Sequence, residues 1–299
     1  LEYEENLTDI NSCGLVFRHN KSGARVCVVS NDDNNKVFSV SFRTPPPNDT
    51  GVPHIIEHTV LCGSKKYPLK DPFIELAKGS LNTFLNAMTF PDKTMYPVAS
   101  CNDQDFKNLM NVYMDAVFYP NIYYHEEIFK QEGWHYELES ADAPLKLNGI
   151  VYSEMKGAFS APASRLYRNV QHSLFPDTAY GTESGGDPDA IPELTYEQFL
   201  DFHRRYYHPT NSYIYLYGDM DVEERLNWID ADYLSQFDVQ PVDSTIQMQD
   251  GANVPKEYVK EYSIGSDEDE RDNTYLAYNG VIGTAFELEE CMALPILTT

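Results

Sequence analysis

The sequence has no apolar run long enough to span a bilayer, and it has little positive charge. Among its 299 residues, 22 Lys and Arg stand against 47 Asp and Glu, which gives a formal net charge of −25. Such a chain should repel nucleic acids and anionic membrane surfaces. We therefore expect no nucleic-acid partner and no membrane association, whereas a basic peptide would be attracted. A solvated acidic surface that keeps the protein soluble explains the same charge without any partner.

Paired cysteines are also missing. The five cysteines are odd in number, widely scattered and without a CxxC pair: Cys13, Cys27, Cys62, Cys101 and Cys291. This pattern fits reduced thiols better than a disulfide framework. The chain begins LEYEEN, with no Met, no apolar signal segment and no Arg-rich leader, so we expect any targeting segment to have been removed or omitted. The residues alone therefore do not indicate a compartment.

Helix and strand patterns are interleaved along the chain, and its hydrophobic content of 42% is globular. Three short strands are predicted within residues 14–44, in GLVFRHN, ARVCVVS and KVFSVSFRT, and an antiparallel meander is their simplest pairing. Helices are predicted over 125–138 and in TYEQFLDFHRRYY, before the alternating strand SYIYLYGD. Because the spacing is not that of regular βαβ units, we expect an α+β fold with a largely antiparallel or mixed sheet covered by helices.

A change of composition divides the chain near its end. Residues 1–240 predict one large domain, and residues 241–258, rich in Asp, Gln, Gly and Pro, predict a linker. Beyond the linker, TYLAYNGV predicts a strand and FELEECMALPIL predicts a helix. We expect residues 259–299 to be the start of a second, truncated domain.

A five-residue motif on a predicted helix carries the chemistry. Pro53 suits the first turn of that helix and Gly63 its end. Residues four apart share a helix face, so His54 and His58 can both turn an imidazole toward one Zn²⁺. Glu57 borders the same face and can act as general base toward a metal-activated water. The order H-x-x-E-H is the inversion of the commoner zincin motif.

A catalytic zinc needs a third protein ligand from elsewhere in the chain. Glu154, in GIVYSEMKGAFS, is the best candidate because it follows an apolar run and opens a predicted helix. Glu75, Glu132 and Glu137 remain alternative ligands. A capping or surface role is the ordinary explanation for any of these glutamates. An accidental group of two histidines and one glutamate on a surface helix is the alternative to the site itself.

With these residues assembled, the chain resembles the pitrilysin and insulysin superfamily of zinc metallopeptidases, in its presequence protease and falcilysin branch. The resemblance covers nearly the whole chain and is strongest over residues 51–219. It is carried by GVPHIIEHTVLCGSKKYPLKDPF, KGSLNTFLNAMTFPDKTMYPVAS, NGIVYSEMKGAFSAP and LFPDTAYGTESGGDPDAIPELTYEQFLDFHRRYYHP. In that branch the third zinc ligand falls on Glu154, so the resemblance assigns that role to it.

The resemblance also implies partners and a location. Members have four homologous α+β domains in two halves that enclose a chamber for unstructured peptides, such as targeting peptides or protein fragments. The carboxy-terminal half supplies an Arg and Tyr pair that stabilises the oxyanion. This chain would then be the amino-terminal part of a longer enzyme, with peptide substrates and the carboxy-terminal half as partners. A mitochondrial matrix, plastid or other organelle lumen is the implied compartment.

Three further residues are assigned with weaker signals. The segment SLNTFLNAM, which contains Asn86, resembles the segment where the superfamily pairs an extended substrate with a sheet edge. Asn86 could therefore orient a substrate, or it could satisfy local backbone groups. His135 is interpreted as a packed structural histidine. Cys62 lies one turn after His58. We interpret it as a small buried hydrophobic residue in preference to a redox-sensitive one.

Two other functions compete with that of a zinc endopeptidase. A non-catalytic relative could bind peptides or serve as a scaffold, but it would have no reason to retain all of His54, Glu57, His58 and Glu154. A purely structural zinc site would normally show four protein ligands and no adjacent base.

Overall fold

The computed structural model describes residues 1–250, 254–265, 269, 271 and 273–297. The strands in these residues are β1 Tyr3–Leu7, β2 Ser12–Arg18, β3 Arg25–Ser30, β4 Lys36–Arg43, β5 Asn82–Leu85, β6 Met88–Thr89, β7 Lys93–Ser100, β8 His135–Glu137, β9 Lys146–Asn148 and β10 Ser212–Gly218. The helices are α1 Val52–Val60, α2 Pro72–Gly79, α3 Asp103–Phe118, α4 Glu126–Glu132, α5 Ile150–Ala158, α6 Pro162–Leu174, α7 Tyr196–Tyr206, α8 Val222–Asp232 and α9 Leu288–Leu297. The α+β prediction is confirmed.

One mixed sheet organises the fold. Its strand order is β1-β2-β3-β10-β4-β7-β5, with β6 also paired to β7, while β8 and β9 form a separate antiparallel pair. The predicted meander is wrong beyond β2 and β3. Strand β10 lies between β3 and β4, parallel to the first and antiparallel to the second. A strand with apolar or aromatic residues on both faces is suited to such a central position.

The core lies between one face of the sheet and helices α1, α3 and α7. Side chains on that face follow the register of the strands: Val40 of β4 is opposite Ile214 of β10 and Tyr96 of β7, and all three are buried. Helix α3 begins at an Asn102 cap and packs Tyr113 against this layer. The core thus fixes α1 over the sheet, near the edge formed by β5 and β6.

The structure shortens one predicted helix and confirms another. The helix expected over 125–138 ends at Glu132, and the chain turns at Gly133 into β8. The helix predicted in FELEECMALPIL is confirmed as α9. Within the described residues, no helix has the length and apolarity needed to cross a membrane.

The strand predicted in TYLAYNGV is not formed in the described residues 273–283. Strands need a partner for their backbone hydrogen bonds, and here Leu276 and Tyr278 are almost wholly exposed. The predicted linker and second domain, 241–258 and 259–299, include positions outside the described residues, and this division stays a prediction. Helix and strand are also absent from the described residues 237–250 and 254–265.

Candidate metal centre

Helix α1 presents both histidines of the H-x-x-E-H motif to the same point. The helix starts after Gly51, whose φ of 68° is in the left-handed region that favours glycine. The rings of His54 and His58 lie one turn apart, with centroids separated by 4.9 Å. His54 and Glu57 are both buried. The motif therefore forms the face that its spacing predicted.

Helix α5 brings Glu154 to these histidines from almost a hundred residues away in sequence. Its Oε2 atom lies 3.8 Å from Nε2 of His54 and 3.7 Å from Nε2 of His58. One ligand atom from each of the three residues lies within 4.8 Å of the others. For bonds of about 2.0–2.2 Å, a tetrahedral zinc site needs ligand atoms roughly 3.3–3.6 Å apart. The donor set fits a zinc ion, and Glu154 lies close to the separation from each histidine that such a site needs.

Both histidines use Nδ1 for contacts within the protein. His54 Nδ1 lies 3.0 Å from the carbonyl oxygen of Gly185, which can only accept a hydrogen bond. His58 Nδ1 lies 3.3 Å from Oε2 of Glu132. With a proton on each Nδ1, the neutral rings present a bare Nε2 toward Glu154. This is the tautomer that a metal ligand requires.

The surroundings of His58 favour positive charge. Burial lowers the pKa of His58, but the hydrogen bond to Glu132 and the charges of Glu57, Glu132 and Glu154 raise it, and the pKa ends above its ordinary value. The same carboxylates that favour a proton on this ring would favour a divalent cation beside it.

Glu57 is held in place by a hydroxyl group. Thr89, at the end of β6, donates a hydrogen bond from Oγ1 to Oε2 of Glu57 at 2.9 Å. A cavity of about 400 Å³ opens beside these residues and is lined by His54, Glu57, Asn86, Ala87, Met88, Thr89, Phe90, Glu154 and Gly185. Glu57, the expected general base, therefore lines the same open cavity as two of the candidate ligands, His54 and Glu154.

Asn86 lines the same cavity at the end of β5. Its Oδ1 accepts a hydrogen bond from the backbone N–H of Ala87 at 3.0 Å, and its carbonyl oxygen accepts one from the Tyr113 hydroxyl at 3.2 Å. Asn86 thus satisfies local backbone and also faces the cavity, which leaves both of its suggested roles open.

The remaining candidates lie apart from the cluster. Among the described residues, Glu75 and Glu137 do not join the group of candidate ligands. His135 pairs through Nδ1 with the carbonyl of Lys130 at 2.8 Å. Burial, together with the charges of Glu132 and Asp71, raises the pKa of the Cys62 thiol well above its ordinary value. A raised pKa disfavours the reactive thiolate form of Cys62.

Sequence reasoning missed the supporting contacts. No motif in the sequence assigns a role to Thr89 or Gly185, and the sequence predicts Glu132 only as a competing ligand. These residues are separated from their partners on α1 by 32, 131 and 74 positions, respectively. The paired glycines of ESGGD were the one local signal, because Gly186 packs its backbone directly against Gly51.

An α+β domain with an H-x-x-E-H helix and a third acidic residue beside it defines the class of inverted-motif peptidases. Residues 41–159 match the family described as insulinase, peptidase family M16, and residues 193–298 match the peptidase M16 inactive domain. The chain belongs to the M16 peptidase family, in its presequence protease branch.

Comparison with individual relatives shows how much of their length this chain covers. It is 55% identical to Protein HypA of Clostridium perfringens, over 98% of this chain and 30% of that protein. It is 48% identical to Presequence protease 1, chloroplastic/mitochondrial, of Arabidopsis thaliana, over 98% of this chain and 27% of that protein. A protease from Helicobacter pylori shares the fold, with a TM-score of 0.62 over 79% of this chain and 53% of that one at 17% identity. The chain spans less than a third of these curated relatives.

Proposed function

We propose that this chain is the zinc-binding part of a metalloendopeptidase that degrades unstructured oligopeptides. His54, His58 and Glu154 are the proposed ligands of one Zn²⁺, and Glu57 is the proposed general base. The observation that carries the proposal is the convergence of the three ligand atoms within 4.8 Å, beside a buried carboxylate that faces the same cavity.

Each residue has a distinct part in the proposed reaction. Zinc, when bound, would supply a Lewis acid that polarises the peptide carbonyl and lowers the pKa of water to about 7. Glu57 would take the proton of the attacking water and return it to the leaving amine. Thr89 fixes one oxygen of Glu57, so the other remains available to the water.

The open edge of the sheet indicates an extended substrate. Strand β5 ends the strand order next to the cavity, and Phe84 on it is exposed. An extended peptide could pair with this edge through backbone hydrogen bonds, which gives affinity without sequence specificity. Asn86 would orient such a peptide at the point where the edge meets the cavity.

The complete enzyme is proposed to be longer than this chain. Its carboxy-terminal half would supply the oxyanion-stabilising Arg and Tyr pair and the opposite wall of a chamber. Residues 1–240 would form the catalytic domain, 241–258 a linker and 259–299 the start of a homologous domain. An organelle lumen stays a prediction, since the Arabidopsis relative is named chloroplastic/mitochondrial and the name of the Clostridium relative states no compartment.

A non-catalytic, peptide-binding relative is the competing function. The position of Glu57 argues against it, because a scaffold needs neither a buried carboxylate in the cavity nor a hydroxyl to orient it. A structural zinc site is disfavoured by the three-residue donor set, which leaves one coordination position open.

Zinc content of single variants tests the proposal. We expect His54→Ala, His58→Ala and Glu154→Ala to lose zinc, because a three-ligand site weakens steeply when one ligand is removed. Glu57→Gln should keep zinc and lose the general base. The measurement is metal analysis of purified protein after dialysis against a weak chelator.

Glu75→Ala is the matched control, since Glu75 is exposed on α2 outside the cluster. It should keep full zinc content. Full zinc in the Glu154→Ala variant would show that another residue is the third ligand and would contradict the proposed site.

A further inference from the structure

A second buried carboxylate lies behind the candidate ligands. Glu132 is only 6% exposed, at the last position of α4. Its Oε2 atom is 3.3 Å from Nδ1 of His58, on the side of the ring opposite to Glu154. Its Oε1 atom accepts a hydrogen bond from the side chain of Gln131 at 3.1 Å. Both oxygens of the carboxylate are therefore engaged.

We propose that Glu132 is a positioning residue for the metal centre, acting through His58. Its carboxylate holds the His58 proton on Nδ1 and so keeps Nε2 free for the metal. It also places a negative charge one imidazole ring away from the cation. The inference rests on the zinc site proposed above.

The two ligand histidines are supported unequally, and this makes Glu132 important. His54 donates to a neutral backbone carbonyl, whereas His58 faces a charged carboxylate. A hydrogen bond to an ionised acceptor is roughly twice as strong as a neutral one. The side chain of His58 is 25% exposed against 11% for His54, so packing holds it less tightly. Glu132 supplies the restraint that packing does not.

Glu132 accepts hydrogen bonds from His58, the Gln131 amide and the Cys62 thiol, of which only His58 can carry a positive charge. Across the described part of the chain, His58 is the one basic side chain within ion-pair distance of this carboxylate. A buried carboxylate without a Lys or Arg partner is costly unless another cation or several donors compensate it. A metal ion beyond His58 would provide that compensation.

Glycine allows this carboxylate to approach α1. A Cβ atom on Gly133 would lie 2.8 Å from the carbonyl oxygen of Phe129 and 3.2 Å from Ile55 of α1. Phe129, one turn before the end of α4, is buried in the core and anchors the helix. The end of α4 therefore sits close against α1, and the distance from Glu132 to His58 is set by packed elements.

The test separates the hydrogen bond of Glu132 from its charge. Glu132→Gln keeps an acceptor for Nδ1–H and removes the charge, whereas Glu132→Leu removes both. Zinc affinity would be measured at pH 7 by competition with a chromophoric chelator, using the 299-residue chain. We expect the Leu variant to bind zinc about 10-fold to 100-fold more weakly, and the Gln variant to lie between it and the unchanged chain.

Nitrogen-15 NMR of the histidine rings gives a second readout that does not need activity. In the unchanged, zinc-free chain, at a pH high enough to keep the ring neutral, His58 should show the Nδ1–H tautomer together with slow exchange of that proton. The Leu variant should show a mixture of tautomers and faster exchange. Glu127→Gln is the control, because Glu127 is exposed on the same helix, and it should change neither readout.

The outcomes distinguish this inference from the proposed function. If the unchanged chain binds no zinc, the proposed function fails, and the inference fails with it. If the chain binds zinc, but both Glu132 variants match it in affinity and tautomer, only the inference is overturned. Should the Leu variant not fold, a Gln variant with unchanged affinity and exchange would overturn the inference by itself.

Discussion

His203, on α7, is a buried histidine that serves the core and not the metal centre. Its Nε2 donates to the carbonyl oxygen of Val117 at 3.0 Å, and its Nδ1 accepts from the Tyr123 hydroxyl at 2.6 Å. The bond from Tyr123 requires a neutral ring, because Nδ1 can accept a hydrogen bond only when it carries no proton. Burial lowers the pKa of His203 to about 3. In the unfolded chain the same ring would titrate near its ordinary pKa of about 6.5.

This difference predicts acid sensitivity. Between about pH 6.5 and pH 3 the unfolded state binds one more proton at this position than the folded state. Stability is therefore lost as pH falls through that window, by about 1.4 kcal/mol per pH unit from this one group. We expect the free energy of unfolding, measured in urea, to fall between pH 6.5 and pH 5 by about 2 kcal/mol more in the unchanged chain than in the His203→Gln variant. The comparison uses the change of each protein's free energy of unfolding with pH, because the substitution also alters stability at neutral pH.

Equal pH dependence of the two proteins would contradict this account of His203. Carboxylates elsewhere in the chain contribute to acid unfolding in both proteins, so their effect cancels in the comparison.

At the scale of elements, a contact between two glycines brings α5 to the candidate metal centre. A Cβ atom on Gly149 would lie 2.2 Å from the carbonyl oxygen of Gly133. The φ of Gly149, 153°, also disfavours other residues. Helix α5 starts at this contact and places Glu154 beside His54 and His58. The position of the third candidate ligand therefore depends on a backbone contact five residues before it.

Gly149→Ala is predicted to weaken the site without touching a ligand. The added methyl group must push the start of α5 away from α4, which moves Glu154 from the two histidines. We expect zinc affinity to fall by at least about tenfold, since metal ligands tolerate little displacement, together with a lower midpoint of thermal unfolding. Calorimetric zinc titration and thermal denaturation measure both.

Gly157→Ala is the matched control, because it lies on the same helix and a Cβ there meets nothing within 4 Å. It should keep zinc affinity and add up to about 1 kcal/mol of stability, from the better helix propensity of alanine. Unchanged affinity in Gly149→Ala would show that the junction does not set the position of Glu154.

At the scale of the whole molecule, the described residues beyond the sheet domain expose much apolar surface. Leu276, Tyr278 and Phe286 are more than nine-tenths exposed, and α9 has no buried residue. Apolar surface of this kind favours association with another surface. We expect the chain by itself to self-associate through this region.

We predict that peptide cleavage by this chain depends on the proposed carboxy-terminal half. The proposed zinc and Glu57 would generate the nucleophile, but the tetrahedral intermediate also needs preorganised donors. Losing one such donor costs about 10²-fold to 10³-fold in rate. We therefore expect the chain to bind one zinc but to turn over peptides orders of magnitude more slowly than when supplemented with its carboxy-terminal half.

The assay uses one quenched fluorescent, unstructured peptide with the chain, with the chain plus the separately made second half, and with the Glu57→Gln form of each. A stably folded protein of similar composition should resist cleavage throughout. Comparable Glu57-dependent rates with and without the second half would overturn this prediction.

The sequence by itself determined the features that depend on local geometry. Helical spacing placed His54 and His58 on one face, because residues four apart on any α-helix are neighbours. Alternation predicted β2, β3, β4 and β10, since side chains in a strand point to opposite faces in turn. The resemblance of GIVYSEMKG to its family selected Glu154 among several acids, which spacing could not do.

Only the tertiary structure decided which distant segments meet. The insertion of β10 between β3 and β4 depends on which strands pair across the sheet, and three isolated strands in sequence do not specify this. Likewise, the contacts of Thr89 with Glu57, Glu132 with His58 and Gly185 with His54 follow from how helices and loops pack on that sheet. These contacts join residues far apart in sequence, and their distances come from the shared core and from close glycine contacts. The motif and the family resemblance therefore predicted the candidate ligands, whereas the fold supplied the groups that orient them.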